Sequence, residues 1–225
     1  MGQKLAVWDW TATLADEVEI DKAVCRSMEK EHSEKYRVSI KEAERKFKEH
    51  LQSLENTWRW HNYPLHGRTL GIDWRTSQEK NVGKLVVLPH AREILEFAKE
   101  KGYRNVLATN AAKPVMLIRV GHADLLDLFD LVVGSDTVKA LKAEGKHFEY
   151  ALEKLNGEAS KSYSFGDNPV QDISPAKRLG LNTVYCRFGQ GKTYYHSEHI
   201  SGNHRFQPNS DYVIDDLLEI KDIIK

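Results

Sequence analysis

The sequence predicts an α/β fold in which helices cover both faces of a parallel sheet. Short apolar runs recur along the chain, and each ends at a polar residue, as expected for buried strands that open into loops. Stretches with apolar residues at helical spacing lie between several of these runs. Strands and helices that alternate in this way indicate a Rossmann-like parallel sheet.

Six apolar runs are predicted to be strands, at residues 5–8, 105–108, 131–133, 162–165, 182–186 and 212–214. Helices are predicted at residues 89–101, 148–155 and 175–179. The segment 115–129 has no simple helical pattern, because four large apolar residues crowd its end.

A charged segment interrupts the alternation after the first strand. From about residue 15 to residue 84 the apolar residues fall at roughly helical spacing, and no stretch is a convincing strand. The sequence therefore predicts a core made of residues 1–15 and 85–225, with residues 16–84 inserted as a small helical cap domain.

Composition narrows the class of protein further. The 225 residues contain 33 Lys and Arg against 33 Asp and Glu, so the formal charge is zero and a nucleic-acid partner is not expected. No apolar run approaches the ~20 residues of a membrane span, and the N-terminus is too polar for a signal peptide. Two cysteines exclude a disulfide framework and favour a reducing, cytoplasmic location.

Polar residues follow the predicted strands at the edge where an open parallel sheet binds ligands. They are Asp9, Thr11, Thr13, Thr109, Asn110, Asp136, Asp167 and Asp172, and Lys142 follows the third strand. A carboxylate at this edge can attack a phosphoryl group. Grouped carboxylates favour a divalent cation such as Mg²⁺, which lets one anion attack another, and a lysine can stabilise the developing charge.

Four motifs in order resemble those of the haloacid dehalogenase superfamily. The first is Trp8-Asp-Trp-Thr-Ala-Thr-Leu14, similar to the family's Asp-x-Asp-x-Thr, and the second is Ala108-Thr-Asn110 at the end of another strand. The third supplies Lys142, although Ala143 stands where the family commonly has proline, and the fourth is Gly166-Asp167 with Asp172 five residues on. The inserted helical segment resembles the small cap of this family.

The resemblance implies a role for each matching residue. Asp9 would be the nucleophile and a Mg²⁺ ligand, and position 11 would offer its backbone carbonyl to the metal. Thr109, with Asn110 beside it, would bind the transferred phosphoryl group. Lys142 would stabilise the nucleophile. Asp167 would ligate Mg²⁺, and Asp172 would orient the metal site or the lysine.

The chain departs from the family's phosphatases at Thr11, where they carry a second aspartate as general acid and base. A threonine hydroxyl supplies this proton transfer poorly, so a weak phosphatase that favours good leaving groups is the expected activity. A 2-haloacid dehalogenase or another carbon-bond hydrolase is one alternative. A phospholigand-binding or regulatory protein with vestigial activity is another. The expected partner is a small phosphorylated substrate, with no membrane partner, and the chain is expected to be a monomer or homodimer.

Two further clusters have competing interpretations. The insert contains an aromatic and basic group, which either packs the cap's own core with solvated arginines or faces the substrate: Trp58, Arg59, Trp60, Tyr63, Arg68, Trp74 and Arg75. Residues 189–209 are rich in Gly, His and Ser and are predicted to be a surface loop, in which His196 and His199 have a spacing that occurs by chance more often than in metal sites.

Overall fold

A parallel sheet forms the centre of the molecule. A computed structural model describes residues 2–187 and 209–225. Within them, the strands of the sheet are β1 (Lys4–Trp8), β4 (Tyr103–Ala108), β5 (Leu131–Val133), β6 (Tyr163–Gly166), β7 (Asn182–Cys186) and β8 (Tyr212–Ile214). They pair in the order β5-β4-β1-β6-β7-β8, all parallel. The predicted Rossmann-like α/β fold is confirmed, and every predicted strand is present within two residues of its expected bounds.

Helices surround the sheet and fill the segment that follows β1. Four lie in that segment: α1 (Val18–Tyr36), α2 (Ile40–Ser53), α3 (Tyr63–Leu70) and α4 (Trp74–Asn81). The others described are α5 (Ala91–Glu100), α6 (Lys113–His122), α7 (Ser135–Val138), α8 (Lys146–Lys154), α9 (Ser174–Arg178) and α10 (Ile220–Ile223).

Two local features differ from the prediction. The short strands β2 (Ala15–Asp16) and β3 (Val86–Val87) pair antiparallel at the two ends of the helical segment, where no strand was expected. Two residues each are too few to give an apolar pattern. The stretch 115–129 is helix α6 followed by a separate 3₁₀ turn at Leu126–Leu128, which explains its crowded pattern.

Strand β1 is buried because both faces of the sheet are covered. Trp8 and Leu5 are completely inaccessible to solvent and belong to the apolar clusters on opposite faces of the sheet. The Trp8 ring stacks on Phe165 of β6 with centroids 4.1 Å apart. With β4 on one side and β6 on the other, the residue after β1 is held at the middle of the sheet's carboxyl edge.

The helical segment has an apolar cluster of its own, which also contacts the core. Ile20, Met28 and Phe47 pack together, and the cluster extends to Ala112 and Val115 at the start of α6. The segment is thereby fixed above the carboxyl edge of the sheet.

The two cysteines, Cys25 and Cys186, are buried and form no disulfide. Among the described residues, none of the helices combines the length and apolar character that crossing a bilayer requires.

Candidate active site

Three carboxylates converge at the carboxyl edge of the sheet. Asp9 follows β1 and its backbone N–H donates to Phe165 O at 2.9 Å, which continues the pairing of β1 with β6. Asp167 follows β6, and Asp172 lies in a π-helical turn, Pro169–Ile173, that brings it back beneath the strand end. One oxygen from each carboxylate lies within 4.8 Å of the others, and all three side chains are buried.

A glycine makes this close packing possible. A Cβ atom built on Gly166 would lie 2.3 Å from Cγ of Asp172. Such an approach is far inside van der Waals contact, so any side chain at position 166 would displace Asp172. The Gly-Asp pair of the fourth motif therefore has a steric basis in this chain.

Lys142 is the ammonium group of the cluster. Its Nζ donates to Oδ1 of Asp9 and, at 2.5 Å, to Oδ1 of Asp172. The side chain is buried, whereas the neighbouring Lys139 and Lys146 are exposed. The structure thus brings together Asp9, Lys142 and Asp172, as the sequence predicted.

The charges of this cluster are not balanced by the protein. Burial raises the pKa of Asp9 to about 7, against the lowering effect of Lys142, with Asp172 adding to the rise. Burial and the nearby charges of Asp9 and Asp172 raise the pKa of Asp167 well above its ordinary value. Burial lowers the pKa of Lys142, but the two carboxylates it contacts outweigh this and raise it overall.

The donor set fits a magnesium ion. If all three carboxylates are ionised, they outnumber the one ammonium and leave an excess of negative charge in a buried place, and carboxylate oxygens are the ligands that hard divalent cations prefer. The raised pKa values of Asp9 and Asp167 come first from burial, with neighbouring carboxylates adding to the rise, and a bound divalent cation would lower both. Asp9 and Asp167 are therefore suited to hold Mg²⁺.

Thr109 and Asn110 lie beside the cluster and are held by hydrogen bonds. Oγ1 of Thr109 accepts from the backbone N–H of Ala111 at 3.1 Å. Oδ1 of Asn110 accepts from the backbone N–H of Lys142 at 2.8 Å, and its amide donates to Gln171 at 3.1 Å. Asn110 thus ties the strand end of β4 to the turn that carries the lysine.

His147 supports the same region from below and was not singled out from the sequence. Its Nε2 lies 3.0 Å from the carbonyl oxygen of Thr109 and so carries the proton that is donated. Burial, reinforced by the charge of Lys142, lowers the pKa of His147 to about 3. The imidazole is accordingly neutral at physiological pH.

Thr11 is placed in the cavity, but its hydroxyl is engaged by a residue that the sequence analysis missed. Oγ1 of Thr11 donates to Oε2 of Glu17 at 2.6 Å, and Nε1 of Trp10 donates to Oε1 of the same carboxylate at 2.9 Å. Glu17 is buried and lines the cavity together with Asp9. A carboxylate therefore lies next to position 11 although the residue there is threonine.

A second missed residue, Arg119 of α6, holds Glu17 in place. Its Nη1 donates to Glu17 and its Nη2 to Asp21, each at 2.7 Å, while Nε donates to Gln78 at 3.1 Å. All four side chains are buried. The signal in the sequence was an arginine within an otherwise apolar stretch of helix, Val115–Val120, but nothing there indicated its partners.

One cavity joins these groups. The described residues that line it are Asp9, Thr11, Glu17, Asp21, Asn56, Trp60, His61, Tyr63, Thr109, Asn110, Ala111, Arg119, Leu141, Lys142, Asp167, Asn168, Gln171 and Asp172. The seven residues to which the family resemblance gave a role are all among them, whereas Thr13 is not. Asp136, expected at the same edge, is not in this lining and instead accepts from the backbone N–H of Lys113 at 2.7 Å.

The aromatic and basic residues of the helical segment do not all lie at the cavity. Trp60 and Tyr63 line the cavity, whereas Arg59, Arg68 and Arg75 are exposed and lie outside its lining. None of these three arginines is positioned in the described cavity to bind an anionic substrate group. The histidine-rich stretch 189–209 lies outside the described residues except for its last position.

Comparison with known proteins identifies the fold and motifs with one family. The sequence model of the haloacid dehalogenase-like hydrolases matches residues 3–180, and a second HAD-hydrolase-like model matches residues 141–220. The chain also resembles the crystal structure of a HAD phosphatase from Thermococcus onnurineus, with a TM-score of 0.80 and 26% identity over 98% of this chain and 97% of that one.

Curated relatives carry phosphatase names. A glyceraldehyde 3-phosphate phosphatase of Methanocaldococcus jannaschii is 33% identical over 150 residues, which are 67% of this chain and 61% of that protein. A ribulose-1,5-bisphosphate 5-phosphatase of Halopiger xanaduensis is 28% identical over 141 residues, 63% of this chain and 58% of that protein. The matched regions therefore span less than two thirds of the length of these two relatives.

Proposed function

Because the chain belongs to the haloacid dehalogenase-like hydrolase family, we propose that it is a Mg²⁺-dependent phosphatase of small phosphorylated carbohydrates, with Asp9 as nucleophile. The observation that carries the proposal is the meeting of Asp9, Asp167 and Asp172 around Lys142 in one buried cluster. The phosphatase names of the relatives support the substrate class, since each refers to a small phosphorylated compound.

The reaction begins with attack on phosphorus. An oxygen of Asp9 forms a bond to the phosphoryl group while the bond from phosphorus to the substrate oxygen breaks, giving an aspartyl-phosphate and an alkoxide that takes a proton from water and leaves as the alcohol. Asp9 and Asp167 would hold Mg²⁺, which supplies charge neutralisation between the carboxylates and the phosphoryl oxygens. Lys142 keeps Asp9 oriented, and the hydroxyl of Thr109 can donate to a phosphoryl oxygen.

Hydrolysis completes the cycle. Water attacks the phosphorus of the aspartyl-phosphate, the bond to Asp9 breaks, and inorganic phosphate leaves. Without an aspartate at position 11, proton transfer to the leaving oxygen is weakly assisted, so we expect esters of acidic alcohols to react faster than alkyl esters.

The helical segment, residues 16–84, acts in this proposal as a cap on the core of residues 1–15 and 85–225. Asn56, Trp60 and Tyr63 from this segment line the cavity beside the carboxylate cluster. Such a cap would exclude bulk water during phosphoryl transfer and contact the part of the substrate beyond the phosphate.

The test compares wild type with Asp9→Asn on p-nitrophenyl phosphate and a panel of sugar phosphates, each with Mg²⁺ and with EDTA. We expect turnover only for wild type with Mg²⁺, and a control substitution of an exposed aspartate, Asp222→Asn, to behave as wild type. Turnover that survives both the Asp9 substitution and EDTA would refute the mechanism.

Halide release from 2-haloacids, measured with the same preparations, tests the carbon-bond alternative. The acidic cluster favours phosphoryl transfer, because three carboxylates suit a divalent cation, and such a cation would in turn neutralise phosphoryl oxygens. Tight phospholigand binding without any turnover would instead indicate a binding or regulatory role.

A further inference from the structure

The cavity beside Asp9 is lined by more carboxylates than cations, and one wall of it is formed by Glu17, Asp21 and Arg119. In addition to the three carboxylates of the cluster, Glu17 and Asp21 line it, and the permanently charged cations among its described lining residues are Lys142 and Arg119. Carboxylates therefore outnumber these cations five to two. A bound Mg²⁺ would correct the excess near Asp9, but not the excess contributed by Glu17 and Asp21.

Both cations are already committed to protein carboxylates. Lys142 contacts Asp9 and Asp172, and Arg119 forms one ion pair with Glu17 and another with Asp21, each at 2.7 Å. The Nε–H of the same guanidinium donates to Gln78, and the Arg119 side chain is buried. Among the described residues of the lining, each lysine and arginine is thus already paired with two protein carboxylates, so a second anionic group of a substrate would have to compete with them.

Glu17, Asp21 and Arg119 together keep a net negative charge at pH 8. Burial, with Glu17 adding to the effect against Arg119, raises the pKa of Asp21 to about 6, so the carboxyl is ionised at pH 8. Two carboxylates against one guanidinium leave one negative charge. A substrate carboxylate or second phosphate would meet this charge in a partly desolvated place, whereas a hydroxyl could donate to the carboxylate oxygens.

We propose that Glu17 and Asp21 are specificity-determining residues, which select phosphate monoesters with a neutral, hydroxylated remainder and reject those with a second anionic group. This inference rests on the proposed function for the location of the phosphate, and it adds the substrate class. The neighbouring Trp60 and Tyr63 supply apolar surface against the carbon skeleton of such a compound.

The test uses two esters that differ at one carbon. Glycerol 3-phosphate and 3-phosphoglycerate both release a primary alcohol, but the first ends in a hydroxymethyl group and the second in a carboxylate. Binding of each to the Asp9→Asn protein is measured by calorimetry with Mg²⁺ at pH 8, and kcat/KM of each is measured for the wild type. The binding arm does not depend on turnover, so failure of the proposed function and failure of this inference are distinguishable.

We expect glycerol 3-phosphate to bind the Asp9→Asn protein at least tenfold more tightly than 3-phosphoglycerate does. Asp21→Asn, introduced into the Asp9→Asn protein, removes the wall's net charge while keeping the shape of the side chain. The Asp21→Asn substitution should reduce the ratio of the two dissociation constants, 3-phosphoglycerate over glycerol 3-phosphate, by about fivefold or more. A unit charge a few ångströms away has at least this effect in a partly buried site. Glu79→Gln removes an exposed carboxylate of α4 and controls for net charge alone, so it should leave the ratio unchanged.

Equal or tighter binding of 3-phosphoglycerate would overturn the inference alone, whereas binding of neither ester would overturn it together with the proposed function. An unchanged ratio in the Asp21→Asn protein would overturn it as well, since the discrimination would then originate elsewhere. Glu17→Gln provides a second variant with the same expected direction, in case Asp21→Asn does not fold.

Discussion

The hydroxyl of Thr11 donates a 2.6 Å hydrogen bond to the carboxylate of Glu17. Position 11 is therefore occupied by a neutral residue whose nearest polar partner is an anion, and this anion is in turn paired with the buried guanidinium of Arg119. A threonine at position 11 is compatible with Glu17, whereas an aspartate there would not be, because two carboxylates at hydrogen-bonding distance would repel each other.

This relationship predicts the outcome of restoring the aspartate. Thr11→Asp alone should give little gain in kcat on an alkyl ester such as glycerol 3-phosphate, because the new carboxylate would lie against Glu17. The double substitution Thr11→Asp with Glu17→Gln removes the repulsion and should raise kcat by about 10–100-fold, part of the effect of a general acid. Steady-state kinetics on both variants provides the measurement.

A single substitution that performs as well as the double one would show that Glu17 does not constrain position 11. Esters with good leaving groups, such as p-nitrophenyl phosphate, serve as the internal control, since they need little proton transfer and should change far less.

Because Lys142 contacts Asp9 and Asp172, we expect its removal to have opposite effects on catalysis and on metal binding. Lys142→Met should lower kcat by about 10²–10³-fold, because the ammonium no longer stabilises Asp9 and the developing charge. The same change leaves the three carboxylates without a positive neighbour among the described residues of the cluster, so Mg²⁺ should raise the Tm of this variant more than that of wild type. Thermal unfolding with and without Mg²⁺ checks the second expectation.

Lys146→Met is the matched control, because Lys146 is exposed and lies four residues away. It should keep both the turnover and the Mg²⁺-induced shift. A smaller Mg²⁺ shift in Lys142→Met than in wild type would contradict the proposed electrostatics.

The buried ion pairs of Arg119 predict that its substitution greatly lowers stability. Arg119→Met leaves Glu17 and Asp21 as buried carboxylates without a cation, so the free energy of unfolding should fall by about 3–5 kcal/mol. Neutralising both partners in the same protein, with Glu17→Gln and Asp21→Asn, should recover at least half of this loss. Urea denaturation of the three proteins gives the values.

Arg92→Met serves for comparison, since Arg92 pairs at the surface with Glu96 of the same helix and with Asp124. An exposed pair of this kind contributes about 1 kcal/mol or less. Equal losses for the two arginines would show that the buried network has no special role.

The lowered pKa of His147 predicts that the free energy of unfolding depends on pH. Burial lowers its folded-state pKa to about 3 from an ordinary value of 6.5, so the folded state binds this proton less readily than the unfolded chain. The corresponding stability is fully present above pH 6.5 and is lost as the pH falls towards 3. Between pH 7 and pH 5 the loss attributable to this group should be about 2 kcal/mol.

Urea denaturation at the two pH values measures this slope. His147→Gln, which keeps an N–H able to reach the Thr109 carbonyl, should remove that contribution, and His122→Gln at an exposed position should keep it. The same slope in wild type and His147→Gln would assign the pH dependence to other groups.

The sequence by itself determined the order of the strands along the chain and the residues at their carboxyl ends. Buried strands are apolar on both sides, so β1, β4 and β6 were visible as short runs, and Asp9, Thr109 and Asp167 followed from where those runs end. The strands β2 and β3 were not visible, because two residues each carry no periodic pattern.

Only the tertiary structure decided which charged residues meet away from the strand ends. Arg119 and Glu17 are separated by about a hundred residues, and their ion pair depends on how the helical segment packs against the start of α6, which local pattern does not encode. The same applies to Lys142, because only the structure shows that it contacts Asp9 and Asp172 while the nearby Lys139 and Lys146 are exposed. Short-range patterning fixes elements and their ends, whereas the pairing of buried charges depends on contacts between distant segments.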